Sequence, residues 1–255
     1  MAVYHADAIV IRSREYGESD KLLTLFSREL GKLQAVAKGV RKPKSRQRAA
    51  AQLFTYADFL LHRGRSLDTI SQAGPKESFP HIWNDLDRTV AATGMAELLD
   101  IATIPGEPHP ELFSLTLTSF FLLEHNEPAM VQSAYALRLL DILGYRPRLQ
   151  ECAECGQLVS GERIFFSAES GGILCPHCHL SGTARGRWVS AGSIAFMGQL
   201  LKGDLSKLDR LRWSSWMKKE IMETLQFFCE QILDKNLRAW SMGNRLANAD
   251  MELNS

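Results

Sequence analysis

Long hydrophobic runs are missing from this sequence. Apolar stretches such as residues 120–123 fall far short of the roughly 20 residues that a helix needs to cross a bilayer. The first seven residues also lack the basic region and the apolar run of a secretory signal. We therefore expect a cytoplasmic protein that does not associate with a membrane.

Catalytic motifs are missing as well. The sequence contains no G-x-x-x-x-G-K-[ST] loop for ATP, no G-x-S-x-G nucleophile turn and no carboxylate cluster suited to two metal ions. Glu15, Glu18 and Asp20 lie close together near a turn, and we interpret them as solvated side chains. These absences favour a protein without enzymatic activity.

Net charge is almost absent from the whole chain, at +1, but not from its parts. Residues 1–80 hold 14 Lys and Arg against 8 Asp and Glu, a net charge of +6. Residues 81–255 hold 16 against 21, a net charge of −5. This asymmetry predicts a basic first domain that binds a polyanion and a mildly acidic remainder.

The first 80 residues show the short apolar runs and turn residues of a β domain. Gly31, Gly64 and the pair Gly74-Pro75 separate the runs. About five strands in this length predict a small barrel such as an OB-fold over residues 1–80. The strand candidates cover residues 8–11, 22–26, 33–37, 54–62 and 67–71.

After Pro80 the hydrophobic period changes from two to about 3.6, which predicts a helical domain over residues 81–150 and 186–241. Asn84 is the predicted N-cap of the first helix, and Pro128 and Gly144 bound the third. The polar tail 242–255 is predicted to be disordered. The predicted helices run from 84 to 102, 111 to 124, 128 to 144, 191 to 201 and 214 to 238.

Four of the five cysteines form two C-x-x-C pairs, Cys152/Cys155 and Cys175/Cys178, with 19 residues between the pairs. Two such turns supply four thiolates to one tetrahedral ion about 2.3 Å away, with no open coordination position. The intervening residues suit a β-hairpin, so residues 151–185 are predicted to be a zinc ribbon with one structural Zn²⁺. Iron in a rubredoxin-like site and an empty, reduced site are the alternatives.

Two histidines accompany the second pair. A histidine can replace a cysteine as a zinc ligand, which makes His177 and His179 alternative ligands. Four sulfurs already complete the coordination shell, so we interpret both histidines as exposed neighbours of the site. The fifth cysteine, Cys229, lies in an apolar helix and is predicted to be buried. A catalytic zinc would need an open position, which this ligand set does not leave.

Residues 38–48 form a cationic segment that contains six basic residues and no acidic one. Gly39 and Pro43 disfavour a helix, so we predict a flexible loop. Cations that neutralise phosphates release counterions, which gives a sequence-independent and salt-sensitive affinity for nucleic acid. The alternative is a solvated loop that only maintains solubility. The six cations are Lys38, Arg41, Lys42, Lys44, Arg46 and Arg48.

Aromatic and further basic residues offer weaker candidates. Tyr16 and Tyr56 are the two side chains that we predict could stack on unpaired bases, whereas Phe26, Phe54 and Phe59 are expected in the core. Four arginines beside the cysteine pairs form either a second phosphate-contacting patch or an ordinary surface. They are Arg146, Arg148, Arg185 and Arg187.

Several of these segments, in this order, resemble the RecO family of bacterial recombination mediators. In the first domain the likeness covers residues 8–12, 16–27, Gly31 and 38–41. A more specific block runs from residue 139 to 147 into the first cysteine pair and Gly156, and it resembles the family's junction between helix and zinc module. The likeness covers nearly the whole chain.

The resemblance implies an α+β architecture: an N-terminal OB-fold β-barrel followed by an α-helical domain with an embedded zinc-ribbon module. It implies binding of single- and double-stranded DNA, strand annealing, and loading of RecA onto DNA covered by single-strand-binding protein. The implied partners are RecR and the C-terminal tail of that single-strand-binding protein, and the six cations are the implied DNA contacts. During repair the protein would associate with the nucleoid.

Two other classes of function stay open from the residues alone. An adaptor would bind a partner's short acidic, hydrophobic tail in a groove between the helix 111–124 and the C-terminal helix. A zinc hydrolase or nuclease would require metal-dependent turnover.

Overall fold

The fold is that of a computed structural model that describes residues 2–182 and 185–244. The chain forms two compact units, residues 1–124 and residues 125–255. The change from strands to helices nevertheless falls near residue 80, where the sequence predicts it. The predicted division into independently folding domains stays a prediction.

Five strands form a closed barrel in the first unit: β1 (Val3–Tyr16), β2 (Asp20–Ser27), β3 (Gly31–Ala37), β4 (Tyr56–His62) and β5 (Asp68–Glu77). The order around the barrel is β1-β2-β3-β5-β4, with β3 and β5 parallel and the other pairs antiparallel. The predicted OB-like barrel is confirmed.

Alternation along β1 separates two apolar faces. Ala6, Ala8 and Val10 belong to the barrel core together with Leu23 of β2, whereas Ile9 points to the other side and is also fully buried. A register shift between Val10 and Arg12 bends the strand. This bend lets β1 pair with β4 along its first half and with β2 along its second.

The last strand of the barrel is longer than the sequence predicts. β5 continues through Gly74 and Pro75, which were expected to mark a break. Beyond residue 70 this strand pairs with β4 but no longer with β3. A proline is tolerated in a strand where one side has no ladder partner, and a register shift opposite Tyr56 and Ala57 accommodates it.

Three helices complete the first unit: α1 (Pro80–Asn84), α2 (Leu86–Ala102) and α3 (Pro110–Leu123). The prediction that Asn84 caps the main helix is wrong by one residue. Asn84 ends the short α1, and the Asp85 side chain accepts a hydrogen bond from the Arg88 backbone N–H at the start of α2.

The second unit contains α4 (Pro128–Ile142), α5 (Pro176–Ser181), α6 (Ala191–Lys202), a 3-10 helix (Leu205–Arg210) and α7 (Ser215–Leu233). A small sheet of order β7-β6-β8 lies within it: β6 (Arg163–Ser167), β7 (Gly172–Leu174) and β8 (Gly186–Ser190). Pro128 begins α4, and Gly144 with φ 85° follows its end, as predicted.

The last long helix is shorter than the sequence predicts. α7 ends at Leu233 because Asp234 adopts a left-handed conformation with φ 50° and ψ 42°. A second helical stretch covers residues 238–244, so the first residues of the predicted tail are helical, and residues 245–255 lie outside the described residues. None of the described helices combines the length and the apolar character needed to span a bilayer.

Candidate nucleic-acid interface and metal site

The cationic segment 38–48 is a run of turns that leaves the end of β3. It is fixed to the barrel at several points. The Gly39 backbone N–H donates to the Asp20 carboxylate at 2.7 Å, and the Arg41 N–H donates to the Ser19 carbonyl at 2.9 Å. Near the other end, the Gln47 amide donates to the Ser71 carbonyl at 2.7 Å.

Apolar residues inside and just after this segment reinforce the attachment. Val40, Ala50 and Ala51 are buried within the barrel core cluster. Burying these side chains removes apolar surface from water at a place where the chain would otherwise be loose. The segment therefore covers part of the barrel core while it presents its basic side chains to solvent.

The six predicted contact residues fall into two groups. Arg41 is half-buried: its guanidinium pairs with Glu15 at 3.0 Å and donates to the Glu18 carbonyl at 3.2 Å. Arg48 donates to the Arg41 carbonyl at 3.3 Å. Arg48 is exposed without an ion pair, as are the other four, but only those four have neither an ion pair nor a side-chain hydrogen bond with a described residue, so their charges are fully available to a polyanion. These are Lys38, Lys42, Lys44 and Arg46.

The sequence alone did not reveal the role of the neighbouring carboxylates. Glu15, Glu18 and Asp20 were interpreted as solvated, and Glu15 and Glu18 are exposed, but Glu15 also pairs with Arg41, and the half-buried Asp20 accepts the Gly39 N–H. The sequence does contain one indication of these contacts, because an acidic cluster at a hairpin tip is complementary in charge to a basic segment. Its partners are 19 or more residues away in sequence, so only the fold brings them together.

The predicted stacking residues differ in their surroundings. The Tyr56 ring lies 5.9 Å from the Phe113 ring, and Lys76 Nζ lies 5.3 Å from its centroid. Tyr16, by contrast, is exposed at the tip of the β1–β2 hairpin. Phe26, Phe54 and Phe59 are fully buried, as expected of core residues.

The outer face of β1, β2 and β3 is partly covered within the first unit. α2 packs on β1, and Ile9 and Phe26, which lie opposite each other on that face, are fully buried. Asp100 of α2 pairs with Lys32 of β3 at 3.0 Å and with Arg12 of β1 at 3.5 Å. This protein's own helix therefore covers the part of the strand face around Ile9 and Phe26, whereas Arg14 and Gln34 on the same face are exposed.

The four predicted metal ligands lie together in the second unit. The sulfur atoms of Cys152, Cys155, Cys175 and Cys178 are all within 4.8 Å of one another. The Cys155 and Cys175 sulfurs are 3.7 Å apart, too far for a disulfide at about 2.05 Å. Sulfurs at the corners of a tetrahedron about 2.3 Å from its centre are about 3.8 Å apart, so this donor set fits one Zn²⁺.

Each cysteine pair is shaped by its own turn. In the first, the Gly156 N–H donates to the Cys152 carbonyl at 3.0 Å, and Gly156 has φ 74°, which glycine adopts without steric cost. In the second, the Cys175 sulfur accepts from the Cys178 N–H at the start of α5. Both turns direct their sulfurs to the same point.

Backbone N–H groups also favour a thiolate at this point. Burial opposes ionisation of Cys152, but hydrogen bonds from the backbone of Cys155, Cys175 and Glu154 outweigh it and lower its pKa to about 6. A metal ligand must be deprotonated, and at Cys152 these hydrogen bonds favour the deprotonated form. The hydrogen bond with Cys175 and burial raise the pKa of Cys178.

The two neighbouring histidines are not equivalent. His177 is exposed, as expected. The His179 ring is half-buried, with its centroid 3.9 Å from that of Phe165 and 5.3 Å from that of Trp188. It therefore packs beside the cluster rather than lying free in solvent.

The second basic patch is partly engaged within the unit. Arg146 forms two hydrogen bonds of 2.6 Å with Asp141, and Arg187 pairs with Glu223 at 2.7 Å. Arg148 donates to the Ala153 carbonyl at 3.2 Å. The two ion-paired arginines have less potential left for phosphates than the unpaired cations of the segment 38–48, whereas Arg185 is exposed and has no ion pair with a described carboxylate.

A groove in the second unit runs between α6 and residues 146–161. Its apolar lining includes Ile164, Ile194 and Leu208. Lys202 and Lys207 stand among its polar residues, and Lys207 is paired with Asp204 at 3.6 Å. The groove predicted from the sequence between α3 and α7 stays a prediction.

Both halves of the chain are similar to one group of known proteins. Residues 1–79 match the family model "Recombination protein O N terminal", and residues 84–241 match "Recombination protein O C terminal". The chain is 69% identical over 250 residues to the DNA repair protein RecO of Desulfitobacterium hafniense, covering 97% of this chain and 92% of that protein. It is 38% identical to RecO of Desulforamulus reducens, covering 98% of each chain, and 37% identical to RecO of Symbiobacterium thermophilum, covering 98% and 100%.

Proposed function

This chain belongs to the RecO family of DNA repair proteins, a non-enzymatic recombination mediator family, and we propose that it binds single- and double-stranded DNA and anneals complementary strands. With RecR, it would help to load RecA onto DNA covered by single-strand-binding protein. The observation that carries the proposal is the anchored cationic segment, in which four exposed cations have neither an ion pair nor a side-chain hydrogen bond with any residue that the structure describes.

The proposed mechanism is electrostatic. Lys38, Lys42, Lys44 and Arg46 neutralise phosphates, and each neutralised phosphate releases condensed counterions. Because Asp20 and buried alanines hold the segment, these cations keep their spacing before DNA binds. Lower repulsion between two strands and their higher local concentration accelerate pairing, and no covalent bond is formed or broken.

We propose that Cys152, Cys155, Cys175 and Cys178 hold one structural Zn²⁺. When bound, the ion cross-links the two cysteine turns and thereby stabilises the small sheet between them. The test is metal analysis of protein purified under reducing conditions. Wild type should contain one zinc per chain, and Cys175→Ser should lose it, while the control Cys229→Ser keeps it because Cys229 is buried in α7 away from the cluster. Iron instead of zinc, or no metal, would contradict the proposal.

The proposed partners beyond DNA are RecR and the C-terminal tail of the single-strand-binding protein. A protein that displaces single-strand-binding protein must remain near it, and a short acidic tail with an apolar end suits a groove that is lined by apolar residues together with lysines. The proposed location is the cytoplasm, at the nucleoid during repair.

An adaptor is the second candidate function, and the groove beside α6 is the observation that favours it. Such a protein would bind the tail peptide tightly and DNA weakly at physiological salt. Competition between a labelled tail peptide and an oligonucleotide distinguishes the two, because an adaptor needs no basic surface on its barrel.

The decisive experiment measures annealing of two complementary labelled oligonucleotides, both bare and coated with the cognate single-strand-binding protein. Acceleration in both cases supports a recombination mediator. Binding of DNA without acceleration would contradict the annealing step and leave the adaptor. Metal-dependent cleavage of the strands would contradict both proposals and indicate a nuclease.

A further inference from the structure

Recognition of unpaired bases by this barrel depends on which of its aromatic side chains are accessible. Single-strand-binding surfaces usually combine phosphate contacts with aromatic side chains on which bases stack. Here α2 covers the outer face of the barrel around Ile9 and Phe26, and the three phenylalanines of the barrel are buried, which leaves its tyrosines as candidates. We propose that the tip of the β1–β2 hairpin is a base-stacking site, with Tyr16 as the stacking residue and Arg14 as a phosphate-binding residue. This inference rests on the proposed binding of single-stranded DNA.

Tyr16 is the one candidate whose ring is available. Its side chain is 46% exposed, and it makes no ring contact with another aromatic residue among residues 2–182 and 185–244. Tyr56 has the same chemistry, but its ring already contacts Phe113 and Lys76. A stacking residue needs a free aromatic face, so the structure favours Tyr16 over Tyr56.

The cations needed for flanking phosphates are close by. Arg14 lies two positions before Tyr16, on the same side of β1, and it is exposed with no carboxylate partner within the described part of the chain. Tyr16 lies directly opposite Asp20 in the hairpin, and Asp20 binds the Gly39 N–H. Lys38, the first residue of the cationic segment, is therefore adjacent to the hairpin tip.

The hairpin tip is held in one geometry before DNA arrives. The pairing of β1 with β2 continues in register to Tyr16 and Asp20, and Gly17 with φ 63° makes the tight turn. On the segment side, Arg41 binds the Glu15 carboxylate and the carbonyl groups of Glu18 and Ser19. A fixed aromatic residue loses less conformational entropy on binding than a mobile one.

This site would make the protein bind separate strands and the annealed duplex with different affinities. Bases in a single strand expose their faces to Tyr16, whereas bases in a duplex stack on each other and expose only the backbone to the cations. Stacking on Tyr16 therefore ends when the strands pair, and the duplex is held through its phosphates alone. The protein would bind separate strands more tightly than the duplex that it helps to form.

The experiment compares two oligonucleotides of equal length: one of thymidines and one made of abasic sites, which keeps the phosphates but lacks the bases. We expect wild-type protein to bind the thymidine strand about tenfold more tightly by fluorescence anisotropy. Tyr16→Ala should reduce that preference to within about twofold, with unchanged affinity for the abasic strand. Tyr16→Phe should retain the preference, and Tyr16→Trp should retain or increase it.

The matched control is Tyr145→Ala, since Tyr145 is similarly exposed, at 49%, but lies in the second unit. It should behave as wild type with both strands. A Tyr16→Ala protein that still prefers thymidine, or a wild type that binds both strands equally, would overturn the stacking site while leaving DNA binding intact. Failure of wild type to bind either strand would instead contradict the proposed function.

Discussion

Asp20 is a single surface carboxylate that determines where the cationic segment begins. It stands at the start of β2, and its side chain accepts the Gly39 N–H at 2.7 Å and the Ser19 hydroxyl at 3.2 Å. A hydrogen bond to a charged acceptor contributes more than a neutral one, because the charge strengthens it. The orientation of Lys38 and its neighbours therefore depends on an acidic residue that has no phosphate-binding role of its own.

Replacing this carboxylate tests that dependence. Asp20→Ala should destabilise the first unit by about 1–2 kcal/mol and accelerate hydrogen exchange of the Gly39 amide, because this N–H loses its acceptor. The control is Glu18→Ala, since Arg41 contacts the Glu18 carbonyl oxygen rather than its carboxylate. Equal exchange at Gly39 in both variants would show that buried apolar residues alone hold the segment.

Glu220 is the corresponding residue of the second unit, where it joins α7 to the small sheet. Its carboxylate accepts from the Ser190 hydroxyl at 2.7 Å and from the Ser190 N–H at 3.1 Å, and it pairs with Arg163 at 3.4 Å. Burial opposes ionisation of Glu220, but these hydrogen bonds, that of Ser193 and the charge of Arg163 outweigh it, so its pKa is lowered. The folded state consequently favours the charged form.

This lowered pKa makes part of the stability of the unit pH-dependent. The contribution is fully present above the ordinary carboxyl pKa and is lost as the pH falls through the lowered value. Glu220→Gln should cost about 2 kcal/mol at pH 7 and progressively less as the pH falls through the lowered pKa, below which Glu220 is itself protonated. Urea unfolding followed by tryptophan fluorescence measures this, since four of the five tryptophans lie in this unit. Glu223→Gln, which breaks only the pair with Arg187, should cost less and serves as the comparison.

At the scale of single residues, the sequence predicted side chains whose partners are close along the chain. The cysteine spacing alone indicated all four sulfurs of the cluster, because each C-x-x-C turn fixes its own geometry. The roles of Glu15, Asp20 and Glu220 were not predicted. Their contacts depend on how strands and helices meet in the fold, and a carboxylate on a surface carries no local mark of its partner.

Among the elements, the cationic segment carries the prediction on DNA. Replacing Lys38, Lys42, Lys44 and Arg46 by Ala should weaken binding to single-stranded DNA. It should also lower the slope of log affinity against log salt by up to about 3, at roughly 0.7 for each phosphate that is no longer neutralised. Zinc content should not change. Replacing four exposed cations of the second unit (Lys207, Arg210, Lys219 and Lys235) removes the same charge from another surface and should leave most of the slope. Equal reductions in both variants would indicate a general charge effect.

The elements themselves were predicted unequally well. Helices α3, α4 and α6 agree with their predicted positions within one or two residues, since prolines and N-caps mark their ends. The strands were placed correctly but mostly drawn too short, because ladder pairing extends β1 and β5 past their apolar cores. The short α1 and the early end of α7 were missed. Both depend on left-handed residues, Phe79 and Asp234, that are not glycine.

At the scale of the molecule, the helices α1–α3 belong to the compact unit of the barrel. The Phe54 ring contacts the Phe120 ring of α3 at 5.5 Å, and α2 covers Ile9. A fragment of residues 1–124 should therefore fold, remain monomeric and keep the salt-dependent binding of DNA. A fragment of residues 1–80 should expose the covered face, bind the dye ANS and aggregate.

Size-exclusion chromatography and ANS fluorescence of the two fragments decide between these divisions of the chain. If the fragment of residues 1–80 is monomeric and does not bind ANS, the barrel is an independent domain, and α1–α3 fold with the rest of the chain. A double substitution of Ile9 and Phe26 by Ser in the short fragment tests the cause of its aggregation. It should reduce aggregation if the face normally under α2 is its cause.

The first unit is continuous in sequence and lies wholly ahead of the cysteines, which has a consequence for biosynthesis. Domains fold as units from the N-terminus while the ribosome is still elongating the chain. Residues 1–124 have left the exit tunnel before Cys175 and Cys178 can meet Cys152. If the four cysteines hold zinc as we propose, zinc starvation would leave the folding of the nascent barrel unaffected and would delay only the later half of the polypeptide.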